Sequence, residues 1–436
     1  MSEGAYFPSI VVNLPSYHRE VSTTMRIPRT PFTTLVAAFL HFDTCFALWV
    51  LLGALGIFIA QSLKLNPAEQ GFLVAVPTLG GSLARFPMGM LGDRFGYKRV
   101  GTLLLLFLFL PLLAGWLLPL NFPALLAVGL LLGCAGSSFA VALPLASRCY
   151  PPERQGLVMG ITAAGNMGTV IANLAAPTLA RSYGWHAVMG LAMIPLALVL
   201  LVFVVLSREA GKAPASAAAP AQPAGAVFKS ADLWWFSFFY SITFGGFVGL
   251  STFLPLFLHT QYGLSAVNAG LLTALASLTG SLARPLGGYL ADRLGGTFML
   301  HLVFSLVAVS YALLACIPPL GLGTVLILCL MAMLGTGNGA VFQLVPLRFP
   351  QQIGLATGFV GACGGLGGFL LPSLLGEARQ LSGGYAMGLV SLALLAFGAL
   401  VSLRLLVSLR PGWQPRQHLV APAGQPTAFS RGRSGT

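Results

Sequence analysis

The sequence predicts an all-α polytopic membrane protein with twelve transmembrane helices in two six-helix, pseudo-symmetric halves. Three observations carry that expectation. Of 436 residues, 56% are apolar and 8% charged, against about 25% charged in a soluble domain. Apolar runs close to the roughly 20 residues that cross a hydrocarbon core recur along the whole chain. The stretch GSLARFPMGMLGDRFG at 81–96 returns 199 positions later as GSLARPLGGYLADRLG at 280–295, with ten of sixteen positions identical. A globular enzyme with one membrane anchor is excluded by this composition.

In chain order, the tail 1–32 lacks a continuous apolar core and carries Pro8, Pro15 and Pro28, so it is expected to be flexible and not a signal peptide. The first half, 33–207, holds spans near 33–60, 70–92, 100–120, 124–148, 154–178 and 186–206. The segment 208–232 follows, with EAGKAPASAAAPAQPAGA at its centre, and its Ala/Pro-rich polar composition reads as a linker. The second half, 233–407, holds spans near 233–258, 266–291, 297–317, 322–347, 352–376 and 383–407. The tail 408–436 is rich in Pro, Gly, Ser and Arg and is expected to be disordered. Six cysteines lie scattered through apolar segments with no CxxC and no partnered His, so neither a disulfide nor a metal site is expected, and no cofactor.

Charge placement predicts orientation. With the amino terminus cytoplasmic, 18 lysines and arginines fall inside and only Lys64, Arg181 and Arg379 outside. Both termini and the linker are therefore expected on the cytoplasmic side of a prokaryotic-type inner membrane. The net charge of +13 is accounted for by topology, which removes the reason to invoke nucleic acid. The remaining two cations, Arg85 and Arg284, stand at equivalent places deep in the second and eighth spans. An arginine at such depth costs about 2.5–3.5 kcal/mol on insertion scales, so its default reading is functional.

Six plus six helices, a central linker and a parallel repeat describe a class of secondary transporters with a midplane site between the halves. Gly89, Asp93, Arg94, Gly96, Lys98 and Arg99 follow the pattern GxxxDRxGxRR/K, which resembles the loop motif of the major facilitator superfamily. Gly288, Asp292, Arg293 and Gly295 form a weaker copy. That resemblance implies the major facilitator fold and a gating role for the motif; the alternative is a set of interface charges. The fifth span, GLVMGITAAGNMGTVIANLAAP, contains Gly165 and Gly168, and the eleventh, GLATGFVGACGGLGGFLLP, contains Gly361, Gly364, Gly365, Gly367 and Gly368. Small residues at such spacings let helices approach closely. The two stretches together also resemble the paired signatures of the nitrate/nitrite porter family.

That resemblance implies a nitrate and nitrite carrier in the lipid bilayer, expected to be a monomer. A planar anion suits two opposed guanidinium forks, which lysine could not imitate. Internal salt bridges are the competing reading of Arg85 and Arg284, but of ten acidic residues only Asp43 lies clearly within a span. Tyr240 and Phe244 in FYSITFGGFVGLS, and Phe139 in GSSFA, resemble the family's anion-contacting aromatics, with core packing as the alternative. Asn166 resembles the family's fifth-span asparagine; Asn338 and Gln343 are weaker candidates, and Asn173 reads as packing. His41 and Asp43 in the first span bear on energy coupling, because arginine cannot usefully release a proton. Nitrate/nitrite exchange is the main expectation, with proton-coupled nitrate symport and a porter for another small anion or an organic acid as alternatives. A membrane enzyme finds no HExxH, GxSxG or clustered carboxylates, and a sensor finds no signalling domain.

Overall fold

The computed structural model describes residues 29–209, 225–349, 352–410 and 413. Among them are helices and no strand. The expectations of a flexible 1–32 tail and a disordered 408–436 tail fall mostly outside the described residues, as does the centre of the linker.

Twelve helical elements form the bundle: α1 (29–63), α2 (Pro67–Phe95), α3 (Tyr97–Leu117), α4 (Phe122–Ser147), α5 (152–183), α6 (Trp185–Leu206), α7 (Ala231–Tyr262), α8 (Ala266–Leu294), α9 (Gly296–Ala315), α10 (Leu320–Arg348), α11 (Ile353–Ser382) and α12 (Ala386–Leu409). A single helical turn, Gly225–Phe228, precedes α7. Six helices per half return the chain to the side from which it entered. The ends of α6 and α12 and the start of α1 thus share one face, here the linker face, and the α1–α2 turn lies on the far face.

Local chemistry explains the boundaries. Asn66 and Glu69 form a reciprocal capping box with Pro67 in the first turn, which starts α2 three residues before the expected position 70. Asn121 caps α4 without the reciprocal bond, accepting from Ala124 N at 3.0 Å. Gly96 (φ 94°) and Gly295 (φ 92°) end α2 and α8 in the same backbone conformation, one that a side chain would strain. The loop motif and its copy thus make the same turn. Three spans are interrupted where the sequence suggests continuity. α1 breaks at Val50 and Leu55, and α4 and α5 pass through 3₁₀ segments at Cys134–Ser138 and Ala164–Met167.

Eleven of the helices are long and apolar enough to cross a membrane. The other is α2, whose 29 residues include Gln70, five glycines, Ser82, two prolines and Arg85. Its small residues serve close packing against protein instead of lipid contact. A methyl group added at Gly71 would come within 2.4 Å of the Pro372 carbonyl on α11. One added at Gly270 of α8, 199 positions later, would come within 2.5 Å of the Asn173 carbonyl on α5. At Gly53 of α1 it would meet Thr252 of α7 at 2.6 Å. These three contacts close the halves on each other toward the far face. Toward the linker face a side chain at Gly160 of α5, or at Gly354 or Gly358 of α11, would meet open space.

This asymmetry has a stability consequence. Gly71→Ala forces overlap with backbone, which costs about 1–3 kcal/mol, and is expected to lower the melting temperature of detergent-purified protein. Gly160→Ala adds a methyl into open space inside a helix and is expected to leave it unchanged or raise it slightly. Equal shifts for both would contradict the packing described.

Candidate functional site

The 3₁₀ stretch in α4 builds one wall of the site. Gly136 must lack a side chain, because a Cβ there would stand 2.4 Å from the Trp49 ring. Trp49 is itself fixed by its indole N–H, which donates to the Pro77 carbonyl at 2.7 Å. The Gly136 carbonyl then accepts from Arg85 Nη2 at 3.0 Å and Nε at 3.3 Å. Arg85 Nη1 donates across the gap between the halves to the Gly361 carbonyl on α11. Arg85 is 2% exposed, and its guanidinium carbon lies 5.6, 5.5 and 5.4 Å from the ring centres of Trp49, Phe139 and Phe244. Aromatic faces stabilise a cation whose hydration has been removed.

Arg284 occupies the equivalent place in the second half, 5.8 Å from the ring centre of Phe342. The symmetry extends to its surroundings: Gly136-Ser-Ser-Phe139 on α4 corresponds to Gly339-Ala-Val-Phe342 on α10. A Cβ on Gly339 would lie 2.3 Å from the Arg284 carbonyl. Between the arginines stands Tyr240, which feels both charges and pairs its hydroxyl with Arg284. Tyr240 stacks on Phe244 at 5.0 Å with 4° between planes, and meets Phe342 edge-on at 4.8 Å. Phe139 and Phe342 close the ring at 5.9 Å.

The two guanidiniums differ in how their donors are used. All three Arg85 nitrogens reach backbone carbonyls, whereas Arg284 Nη1 is buried without a partner among the described residues. Neither arginine forms an ion pair among the described residues. The ion pairs among the described residues, Arg148–Asp93, Arg348–Asp232 and Arg410–Asp232, all lie at the linker face. The site therefore combines two uncompensated positive charges, a buried unused donor and a cage of five aromatic rings. The chemical complement of that set is a small anion.

The remaining predicted residues divide clearly. On α11, Gly364 makes room for Tyr240 (a Cβ would lie 2.4 Å away), Gly365 for Ser82 of α2 and Gly367 for the Ser241 carbonyl. A Cβ on Gly368 would make only ordinary contact with Thr78 and Val248. On α5, Gly165 and Gly168 pack on α1 around Phe42 and Asp43. Asn166 and Asn338 are buried with Oδ1 unpartnered. Asn173 donates to the Thr169 and Ser251 carbonyls, a packing role that ties α5 to α7. Gln343 lies against Gly296 at the start of α9. His41 turns away from the arginines, with Nε2 at 3.3 Å from the Gly101 carbonyl and its ring on Phe203. Asp43 is half-buried on the α5 side of α1, beside the Gly168 backbone.

At the linker face, Asp93 accepts from Arg148 at 2.8 Å and from the Tyr97 hydroxyl at 2.7 Å, joining α2 to α3 and α4 within one half. A Cβ on Gly89 would only touch Ala140 of α4, and Arg94 lies over Phe95. Glu209 holds Tyr97 N and Lys98 N at 2.8 and 2.7 Å. In the second half Asp292 has no ion pair among the described residues, and Arg293 lies over Tyr289. There the equivalent bond is made by Asp232 of α7, which takes Arg348, Arg410 and the Trp413 indole N–H at 2.9 Å. Sequence reasoning missed Phe342 as a wall, Trp49, the Gly136 carbonyl and Asp232. The repeated GxxF would have found the first; the others depend on contacts between distant segments.

Residues 37–372 match the Major Facilitator Superfamily. The chain is 36% identical over 358 residues to the nitrite extrusion protein of Bacillus subtilis, covering 82% of this chain and 89% of that one. The chain belongs to the nitrate/nitrite porters of that superfamily. Other porters it resembles are a probable nitrate/nitrite transporter, NarK2, of Mycobacterium tuberculosis, at 35% identity over 80% of this chain and 90% of the other. A probable nitrate/nitrite antiporter, NarK1, of Thermus thermophilus is 31% identical over 87% and 92%. The fold matches a bacterial homologue of the lysosomal transporter Spinster with a TM-score of 0.71 at 17% identity, covering 88% of this chain and 98% of that one. The xylose transporter XylE of E. coli matches with a TM-score of 0.70 at 15% identity, over the same shares.

The two linker-face clusters in this porter should differ in weight. The Asp93 side chain is 65% exposed and that of Asp232 18%. Asp93→Asn is expected to change stability by less than about 1 kcal/mol. Asp232→Asn removes the carboxylate charge that Arg348, Arg410 and the Trp413 indole share and is expected to cost about 1–3 kcal/mol. Thermal melts of the two purified variants check the order.

Proposed function

We propose that this protein exchanges nitrate and nitrite across the cytoplasmic membrane by alternating access, with the anion held between Arg85 and Arg284. The observation that carries the reading is the buried, unpartnered Arg284 Nη1 in a site with two guanidiniums and no carboxylate paired to either. A trigonal anion accepts that donor together with the Tyr240 hydroxyl, and takes Arg85 donors that now rest on carbonyls. Phe139, Phe244 and Phe342 exclude water around it, and Asn166 and Asn338 lend their amides. The names carried by the relatives support the same substrate class.

The halves close at the far face and stand open below Arg85, an inward-facing arrangement if the linker face is cytoplasmic. Rocking then alternates the glycine-packed contacts of α2–α11 and α5–α8. The Asp93 and Asp232 clusters keep each half rigid as it moves, and the loop motif acts at this gate. Exchange is favoured over proton symport because, among the described residues, the cage around the arginines holds no carboxylate or imidazole. Asp43 stands on the α5 side of α1, and His41 faces α3 and α6.

Proteoliposomes loaded with nitrite test this reading by nitrate entry with and without a proton gradient. Arg85→Lys and Arg284→Lys are each expected to fold and to lose transport by about tenfold or more, since a charge-assisted hydrogen bond is worth roughly 1.5–3 kcal/mol. Near-native uptake in both would remove the arginines from the site. Asp43→Asn is expected to retain exchange; loss of proton-driven uptake alone in this variant would favour symport. Cysteine labels at Lys98 should react only from the cytoplasm and at Arg181 only from outside, and the reverse pattern would overturn the orientation.

A further inference from the structure

One cavity of the bundle is lined by neither arginine. It is a groove of about 760 Å³ between α7, α9, α11 and α12 of the second half and α2 and the start of α4 of the first. Its inner end lies at Gly367 and Ser241, on the α7–α11 seam one turn from the glycine that backs Tyr240. Its far-face end is lined by Glu69 and Glu377. From position 367 to 377 a helix rises about 15 Å, half of a hydrocarbon core of about 30 Å. The groove thus has the depth of one leaflet.

Its walls are apolar in effect. Leu370 is 62% exposed at the rim, and the hydroxyls of Ser241 and Ser373 are bonded to carbonyls of their own helices. The far-face end is different. Neither Glu69 nor Glu377 belongs to an ion pair among the described residues. The nearby Arg379 is directed to Tyr385, whose hydroxyl it meets at 3.2 Å. Two carboxylates without a cationic partner among the described residues, of which Glu69 also accepts from Asn66 N at 2.9 Å, stand above a leaflet-deep apolar groove and complement an ammonium group carried on an acyl chain.

We propose that this groove binds one phospholipid with a primary-amine headgroup from the far-face leaflet. The acyl chain fills the groove to Gly367, and the ammonium lies at Glu69 and Glu377. Anionic headgroups are disfavoured there by charge. The bound chain braces α11, the helix whose glycines face both α2 and the Tyr240–Phe244 pair, so the lipid supports the back wall of the site. The assignment is independent of which anion the protein carries.

The test uses full-length protein reconstituted in phosphatidylethanolamine, phosphatidylglycerol or equal mixtures, then stripped with mild detergent and weighed by native mass spectrometry. Wild type is expected to keep one phosphatidylethanolamine per chain. Leu374→Trp, which fills the groove, is expected to lose it. Glu377→Gln is expected to keep a lipid but weaken the amine preference about two- to fivefold, the scale of an exposed charge pair. Wild type that retains no lipid, or retains both headgroups equally, would overturn the assignment. Should Leu374→Trp fail to fold, phosphatidylethanolamine bearing a diazirine on its acyl chain is photolysed on wild type. Adducts concentrated in residues 370–377 and 392–395 support the proposal, and adducts spread evenly around the bundle refute it.

Discussion

Two guanidinium charges sit inside a bundle whose described ion pairs all lie at one membrane face, and much of the architecture answers that fact. A buried cation must find donors' complements, polarizable surroundings or a counter-ion. Arg85 obtains the first two. A 3₁₀ turn in α4 offers the Gly136 carbonyl, α11 offers Gly361, and Trp49, Phe139 and Phe244 surround the charge. Arg284 is less complete, with Nη1 left over. That inequality between symmetry-related residues is what the proposed anion site rests on.

Close backbone approach is the second requirement, and it follows from the first. Arg85 reaches a carbonyl of the other half because α2 and α11 pack through glycine at Gly71, Gly365 and Gly376. The same device joins α5 to α8 through Gly270. Without side chains to interlock, such interfaces can separate and re-form with little rearrangement, which suits helices that rock past each other. Their cost is lost apolar packing with lipid, and α2 is accordingly the one of the twelve helices that lacks a window apolar enough to cross a membrane by composition.

The halves diverge where they meet the linker face. The first keeps the loop-motif aspartate bonded to Arg148, while the second leaves Asp292 out and gathers Arg348, Arg410 and Trp413 on Asp232. The second cluster is more buried and ties the chain segment beyond α12 to the start of α7. Each half is thereby a braced unit, but by different residues, so the duplicated motif preserves a turn, through Gly96 and Gly295, more faithfully than it preserves a bond.

By itself the sequence determined the helices, their pairing into two halves and the identity of the two arginines within the bundle. Those follow from local hydropathy, capping residues and an internal repeat, all of which are written along the chain. It also named Tyr240, Phe139 and Phe244, because they recur in motifs with a known pattern. The tertiary structure alone decided what faces what. His41 and Asp43 lie two residues apart yet diverge, because 200° of helical rotation sends one side chain toward α3 and α6 and the other toward α5. Trp49 and the Gly136 carbonyl join Arg85 only because α1, α2 and α4 converge, and Asp232 replaces Asp292 only because the start of α7 meets the ends of α10 and α12. Contacts between segments remote in the chain depend on packing, and packing carries no local signature.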